Sequence, residues 1–97
     1  MTYRLRSRVQ LDLEAVWLDT LNRWSADQAD TYVSALIDRF KWLAEHPQAG
    51  KPRDEIKPGY RSFPEGAHLV FYIVRDGWIE IIGVVHQRMD YQDSMGE

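Results

Sequence analysis

The 97-residue chain has no cysteine, which excludes a disulfide scaffold, a thiolate zinc site and a cysteine nucleophile. That absence fits a reducing compartment, and the cytoplasm is the expected location. No stretch approaches the roughly 18 apolar residues that a membrane span needs. The amphipathic, polar start MTYRLRSR is not followed by the apolar run of a secretory leader, so no signal peptide is expected. Positive charge is also in short supply. Residues 1–46 hold six Lys/Arg against seven Asp/Glu, and residues 47–97 hold six against eight. Neither half has the basic excess of a protein that lives by phosphate contacts, so sequence-specific nucleic-acid binding is not expected. There is no Gly-rich phosphate loop and no G-x-S-x-G elbow. At 11.4 kDa the chain is large enough for one core and too small for two, so a single domain over residues 1–97 is expected.

What is present is aromatic and periodic. Twelve aromatics in so short a chain point to a dense core or an adhesive surface. Thr2 to Arg6 alternates as a strand. Ser7 and Gln10 form a capping box that predicts a helix start, and Leu13, Val16, Trp17, Leu21 and Trp24 recur at helical spacing. A second capping box, Ser25 and Gln28, opens another helix. Its stripe is Ala29, Tyr32, Val33, Leu36, Ile37, Phe40, Leu43 and Ala44, ending near His46 because Pro47 disfavours helix at the residue before it. So short a joint makes the two helices an antiparallel hairpin. Residues 47–59, PQAGKPRDEIKPG, read as a loop. Tyr60 to Phe63 resumes alternation and Pro64-Glu65-Gly66 turns. His68–Arg75 and Trp78–His86 are strands joined at Asp76-Gly77, the signature of a type I′ hairpin.

A two-residue turn sets the register with Arg75 opposite Trp78. One face of the hairpin then carries Leu69, Phe71, Ile73, Trp78, Ile82 and Val84, with Glu80 as the exception. The other carries Val70, Tyr72, Val74, Ile79, Ile81 and Val85. Both faces are apolar, and one helical layer covers only one of them. Either loops and the C-terminal tail cover the other, or a partner chain does. Trp42 lies off the apolar stripe of its helix, as an interface anchor or packed on the loop after Pro47.

The candidate chemistry is sparse. This register turns His68 away from His86, and no pair of histidines has metal-ligand spacing, so neither metal nor cofactor is expected. His86 alone stands where it could titrate near neutral pH. Lys51, Arg53, Lys57 and Arg61 form a local basic cluster beside Asp54 and Glu55, either a phosphodiester site or a solvated loop.

The order of these parts resembles the ParE toxins of the ParE/RelE superfamily of bacterial toxin–antitoxin modules. The resemblance rests on Tyr3-Arg4-Leu5 leading into Asp12-Leu13-Glu14-Ala15-Val16-Trp17, on Trp24-Ser25-Ala26-Asp27-Gln28-Ala29, and on Leu43-Ala44-Glu45-His46-Pro47-Gln48-Ala49-Gly50. It continues through Pro58-Gly59-Tyr60-Arg61, His68-Leu69-Val70-Phe71-Tyr72 and Val84-Val85-His86-Gln87-Arg88-Met89-Asp90. It implies an α+β fold of order β-α-α-β-β-β, a helical hairpin on a mainly antiparallel sheet. It also implies a ParD-type antitoxin lying along an apolar groove. Trp42, Val70, Tyr72, Val74, Ile79 and Ile81 are then the candidates for antitoxin contact.

The ParE branch implies a non-enzymatic poison of DNA gyrase that traps the cleaved DNA complex. The RelE branch cuts messenger RNA on the ribosome. Arg61 matches an arginine common to both branches, and Lys51, Arg53 and Lys57 are placed loosely like the RelE basic loop. Tyr91 lies past the final strand, in the polar tail. The sequence pI near 5.6 and the ending His86-Gln87-Arg88-Met89-Asp90 favour the gyrase reading. Arg61, His86 and Arg88 are its candidate target contacts. A ribosome-dependent endoribonuclease and a degenerate, inactive toxin are the alternatives.

Overall fold

A computed structural model describes residues 1–89 and 94–95. The elements are β1 (Thr2–Leu5), α1 (Ser7–Arg23), α2 (Ala26–Glu45), β2 (Lys51–Pro52), β3 (Tyr60–Glu65), β4 (His68–Val74) and β5 (Trp78–His86). They build a five-stranded sheet in the order β1-β5-β4-β3-β2. β1 runs parallel to β5 and every other pairing is antiparallel. The α1–α2 hairpin covers one face. This is the expected α+β architecture with one addition: β2, two residues long, forms inside the segment expected to be loop.

The second helix follows its sequence signals. The Ser25 hydroxyl accepts from the Gln28 N–H at 3.2 Å, and the helix stops at Glu45, just ahead of Pro47. The first capping box does not form. Ser7 is already helical, and the residue preceding the helix is Arg6, whose side chain makes no cap. The Arg6 N–H is held instead by the Ile81 carbonyl at 2.9 Å, so β1 pairing carries the extended chain up to the helix start. Trp24, placed on the buried stripe by its spacing, follows the last helical residue and is 74% exposed.

The hairpin holds the largest correction. Next to the turn the pairing is as expected, with Val74 opposite Ile79, Ile73 opposite Glu80 and Tyr72 opposite Ile81. The register then slips by one residue. Phe71 lies opposite Gly83, which leaves Ile82 as the extra residue of a β-bulge. A slip of one exchanges faces, so Val84 joins the helix-side core and Val85 the opposite face. The turn is not type I′ either. Gly77 has φ 82°, but Asp76 does not share its positive φ. Type I′ needs both, and aspartate has a steric cost there that glycine lacks.

The helix-side core comprises Val9, Val16, Leu36, Phe40, Leu43, Val70, Tyr72, Ile79 and Ile81. The outer face of the sheet buries Tyr60, Leu69, Phe71, Ile82 and Val85, with Ile56 from the loop and Met95 packed on them. Both apolar faces are therefore covered within the chain. The loop before β3 and the segment at Met95 provide the cover for which a partner chain was the alternative.

Candidate functional site

The bulge brings together two histidines that the uninterrupted register separates. His68 lies opposite His86 across the β4–β5 ladder, with ring centroids 5.2 Å apart. The Tyr32 hydroxyl from α2 is 2.7 Å from His68 Nδ1 and accepts from the Ala67 N–H at 2.8 Å. With an unprotonated Nδ1 the phenol donates to His68 at this short distance, its other acceptor within reach being the Glu65 carbonyl at 3.5 Å. His86 Nδ1 accepts from the Arg88 N–H at 3.1 Å. Burial pulls the His68 pKa below its usual value, the nearby His86 adds to this, and Asp19 on α1 opposes it. His68, His86 and Asp19 border two adjoining clefts, one running along α1 past Ala15, Val16 and Met89 and one past Trp24 and Tyr32. Among the described residues no three His, Asp or Glu side chains gather as a metal site.

Arg61 lies far from this cluster. It pairs with Tyr72 on β4, four residues from His68, or about 13 Å at the rise of a strand. Its guanidinium donates to the Gly50 carbonyl at 2.7 Å and to Gln48 Oε1 at 2.8 Å, stapling the chain after α2. Arg53 donates to the Ser62 hydroxyl at 2.8 Å and pairs with Glu55. Lys51 is exposed on β2, Lys57 is half-buried and Arg88 is exposed just after β5. The sequence candidates thus fall into two groups: His86 and Arg88 at one end of the sheet, Arg61 and the basic loop at the other. Tyr91 lies outside the described residues.

Of the six candidate antitoxin contacts, four are inside the molecule. Val70, Tyr72, Ile79 and Ile81 have no exposed surface, because the helices already occupy their face. Val74 is half-buried. Trp42 is half-buried too, its ring stacked on His46 at 4.5 Å and beneath the Arg39 guanidinium at 4.8 Å, which Glu65 holds at 2.9 Å. Its ring contacts are with His46 at the end of α2 and with Phe63 on β3. The apolar side chains in solvent are others: Leu11 at 67% and Leu18 at 54% exposure on α1, and Met89 at 52% beyond β5. Leu11, Ala15 and Leu18 share one face of α1, at i, i+4 and i+7. That apolar spacing was visible in the sequence beside the buried stripe, but nothing there said which stripe faced the sheet.

The chain matches the family model described as the ParE toxin of the type II toxin–antitoxin system parDE, over residues 3–91. It is 40% identical to Toxin ParE1 of Mycobacterium tuberculosis over 94 residues, 96% of each chain. It is 38% identical to Toxin ParE1 of Caulobacter vibrioides over 94 residues, 97% of each. Among solved structures, a chain of the chromosomal ParDE system from P. aeruginosa superposes with a TM-score of 0.76 at 19% identity, over 89% of this chain and 95% of that one, a likeness of fold. Matched over nearly its whole length by the family model and by relatives at about this level of identity, the chain belongs to the ParE toxin family of type II toxin–antitoxin systems.

Proposed function

We propose that the protein acts in the cytoplasm as a poison of DNA gyrase without covalent chemistry of its own, held inactive by a ParD-type antitoxin. The observation that carries this reading is the family match over residues 3–91. The placement of the polar residues supports binding rather than hydrolysis. A ribonuclease that paired Arg61 with His86 would need both around one phosphate, and they lie about 13 Å apart along the sheet; Tyr91, the other proton-transfer candidate, lies outside the described residues. Arg61 is also engaged with backbone and side-chain oxygens of the loop it staples.

The antitoxin's place is argued from exposure. An amphipathic segment can lay its apolar face on Leu11, Ala15 and Leu18 and continue into the cleft beside Met89. His86 and Arg88 border the same end of the molecule and remain the candidates for target contact. Purified protein added to gyrase, ATP and supercoiled plasmid should accumulate cleaved DNA, and prior mixing with antitoxin should prevent it. Gyrase left untouched while a cell-free translation reaction stops with new transcript ends would overturn the proposal in favour of the nuclease reading.

A further inference from the structure

The net charge conceals a division between the two layers. The two helices carry four Lys/Arg against seven Asp/Glu, whereas the other described residues carry eight against five. Much of that positive charge lies on the outer face of the sheet. Arg4 on β1 is level with Glu80 on β5 and Ile73 on β4, and Ile73 belongs to the outer-face cluster. The Glu80 carboxylate accepts from Arg6 at 3.0 Å and from Arg75 at 2.7 Å, and so holds a guanidinium on either side. Glu80 is the more deeply set, its side chain 18% exposed against 36% for Arg6 and 42% for Arg75. Arg4 has no ion pair among the described residues, and its guanidinium lies over the Trp78 ring at 4.5 Å. Two guanidiniums thus hold one recessed carboxylate, and a third stands on the neighbouring strand, level with it in register.

We propose that this arginine row, Arg4, Arg6 and Arg75, is a binding surface for the phosphate backbone of nucleic acid, without base specificity. Arg4 and Arg6 lie about 6.6 Å apart along the strand, a pitch of the order of successive phosphates. Each guanidinium offers planar paired donors suited to a phosphate. An acidic peptide presents the same charge, but it would also seek apolar pockets, and here Tyr60 and Ile82 beside the arginines are already buried. What the surface offers is charge in a row, which is how a backbone is held without reading sequence. The inference goes beyond the gyrase reading and holds whatever the toxin's target is.

The test is fluorescence anisotropy with a labelled 20-base-pair duplex of arbitrary sequence and an RNA of the same sequence, between 50 and 200 mM salt. Binding should weaken with salt, the slope of log affinity against log salt being about −2 to −3 for three phosphate contacts. DNA and RNA should both bind. Arg4→Ala with Arg75→Ala should lower affinity at least tenfold and flatten the slope, while Glu80→Gln should raise affinity severalfold. Arg4→Ala alone, which breaks no ion pair and loses only the stacking on Trp78, should still weaken binding measurably while the melting temperature falls by no more than a few degrees. No binding at 50 mM salt, unchanged affinity in both arginine variants, or displacement by polyglutamate at the same concentration as by unlabelled DNA would overturn the proposal.

Discussion

At the scale of single residues, Tyr72 shows how a candidate contact becomes a structural post. Alternation along β4 marks it as one of an apolar row. Its side chain is fully buried, but the hydroxyl donates to the Pro47 carbonyl and accepts from the Gly50 N–H, each at 2.8 Å. Burial pushes the phenol pKa up, against the opposing Gly50 bond and the Arg61 charge, so it stays protonated as donor. Gly50 is forced by the same contact, since a Cβ there would meet the Tyr72 hydroxyl and lie 2.6 Å from Cε1. Tyr72→Phe should cost about 1–3 kcal/mol, because it leaves the buried Gly50 N–H without a partner. Urea denaturation would check this, with an unchanged m-value showing that the native state has kept its compactness. The tyrosine was legible as one of an apolar row, but its burial and its partners, 22 and 25 residues away in the chain, were not.

Among the elements, the decisive feature is the bulge at Ile82. Opposite it, α1 contributes Asp12, whose carboxylate accepts from the Val84 N–H at 3.0 Å and from Arg8 at 3.0 Å. The helix thereby supplies an acceptor to the irregular part of β5. Asp12→Ala should destabilise by about 1–3 kcal/mol and, in amide exchange, should raise the rate at Val84 above that of Ile79. Equal effects at both amides would mean that Asp12 matters only to global stability. The solvent side of α1 makes the opposite forecast. Leu11→Ser with Leu18→Ser should change stability by within about 0.5 kcal/mol each, since both side chains are mostly exposed. The same pair should weaken antitoxin binding at least tenfold by calorimetry; undiminished affinity would place the antitoxin elsewhere. Helix and strand identities were legible from period, except for the two-residue β2. The bulge was not, because inserting Ile82 leaves the apolar pattern of β5 unbroken while it reverses the side on which the rest of the strand points.

For the whole molecule, the sheet end should report pH. His68 has its folded pKa lowered by burial and by His86, so the unfolded chain binds more protons in the interval below the ordinary histidine value. Stability should therefore rise with pH through that interval and fall on acidification from pH 7.5 to 5.5. Protonated His68 would also have to donate from Nδ1, turning the Tyr32 hydroxyl toward the Glu65 carbonyl, which is 3.5 Å away. The facing groups are His86, Asp19, Tyr32 and Glu65. Melting temperatures over this range should show a smaller acid loss in His68→Gln than in the parent; equal losses would assign the pH dependence to other groups.

The sequence by itself determined which segments are helix and strand, apart from the two-residue β2, how the helical hairpin folds back, and the family to which the whole arrangement belongs. Those properties come from local periodicity, caps and turn residues, which act within a few positions of one another. Tertiary structure alone decided that His68 meets His86, that Arg61 and His86 lie about 13 Å apart along the sheet, and that the apolar rows of the hairpin are core. The physical reason is register: one inserted residue costs the strand no hydrophobicity but exchanges its faces, and no local pattern records it. Charge followed the same division. The deficit of positive charge, read along the chain, argued against phosphate contacts; folding separates acidic helices from a sheet face where Arg6 and Arg75 hold a single recessed glutamate and Arg4 lies over Trp78 on the same side.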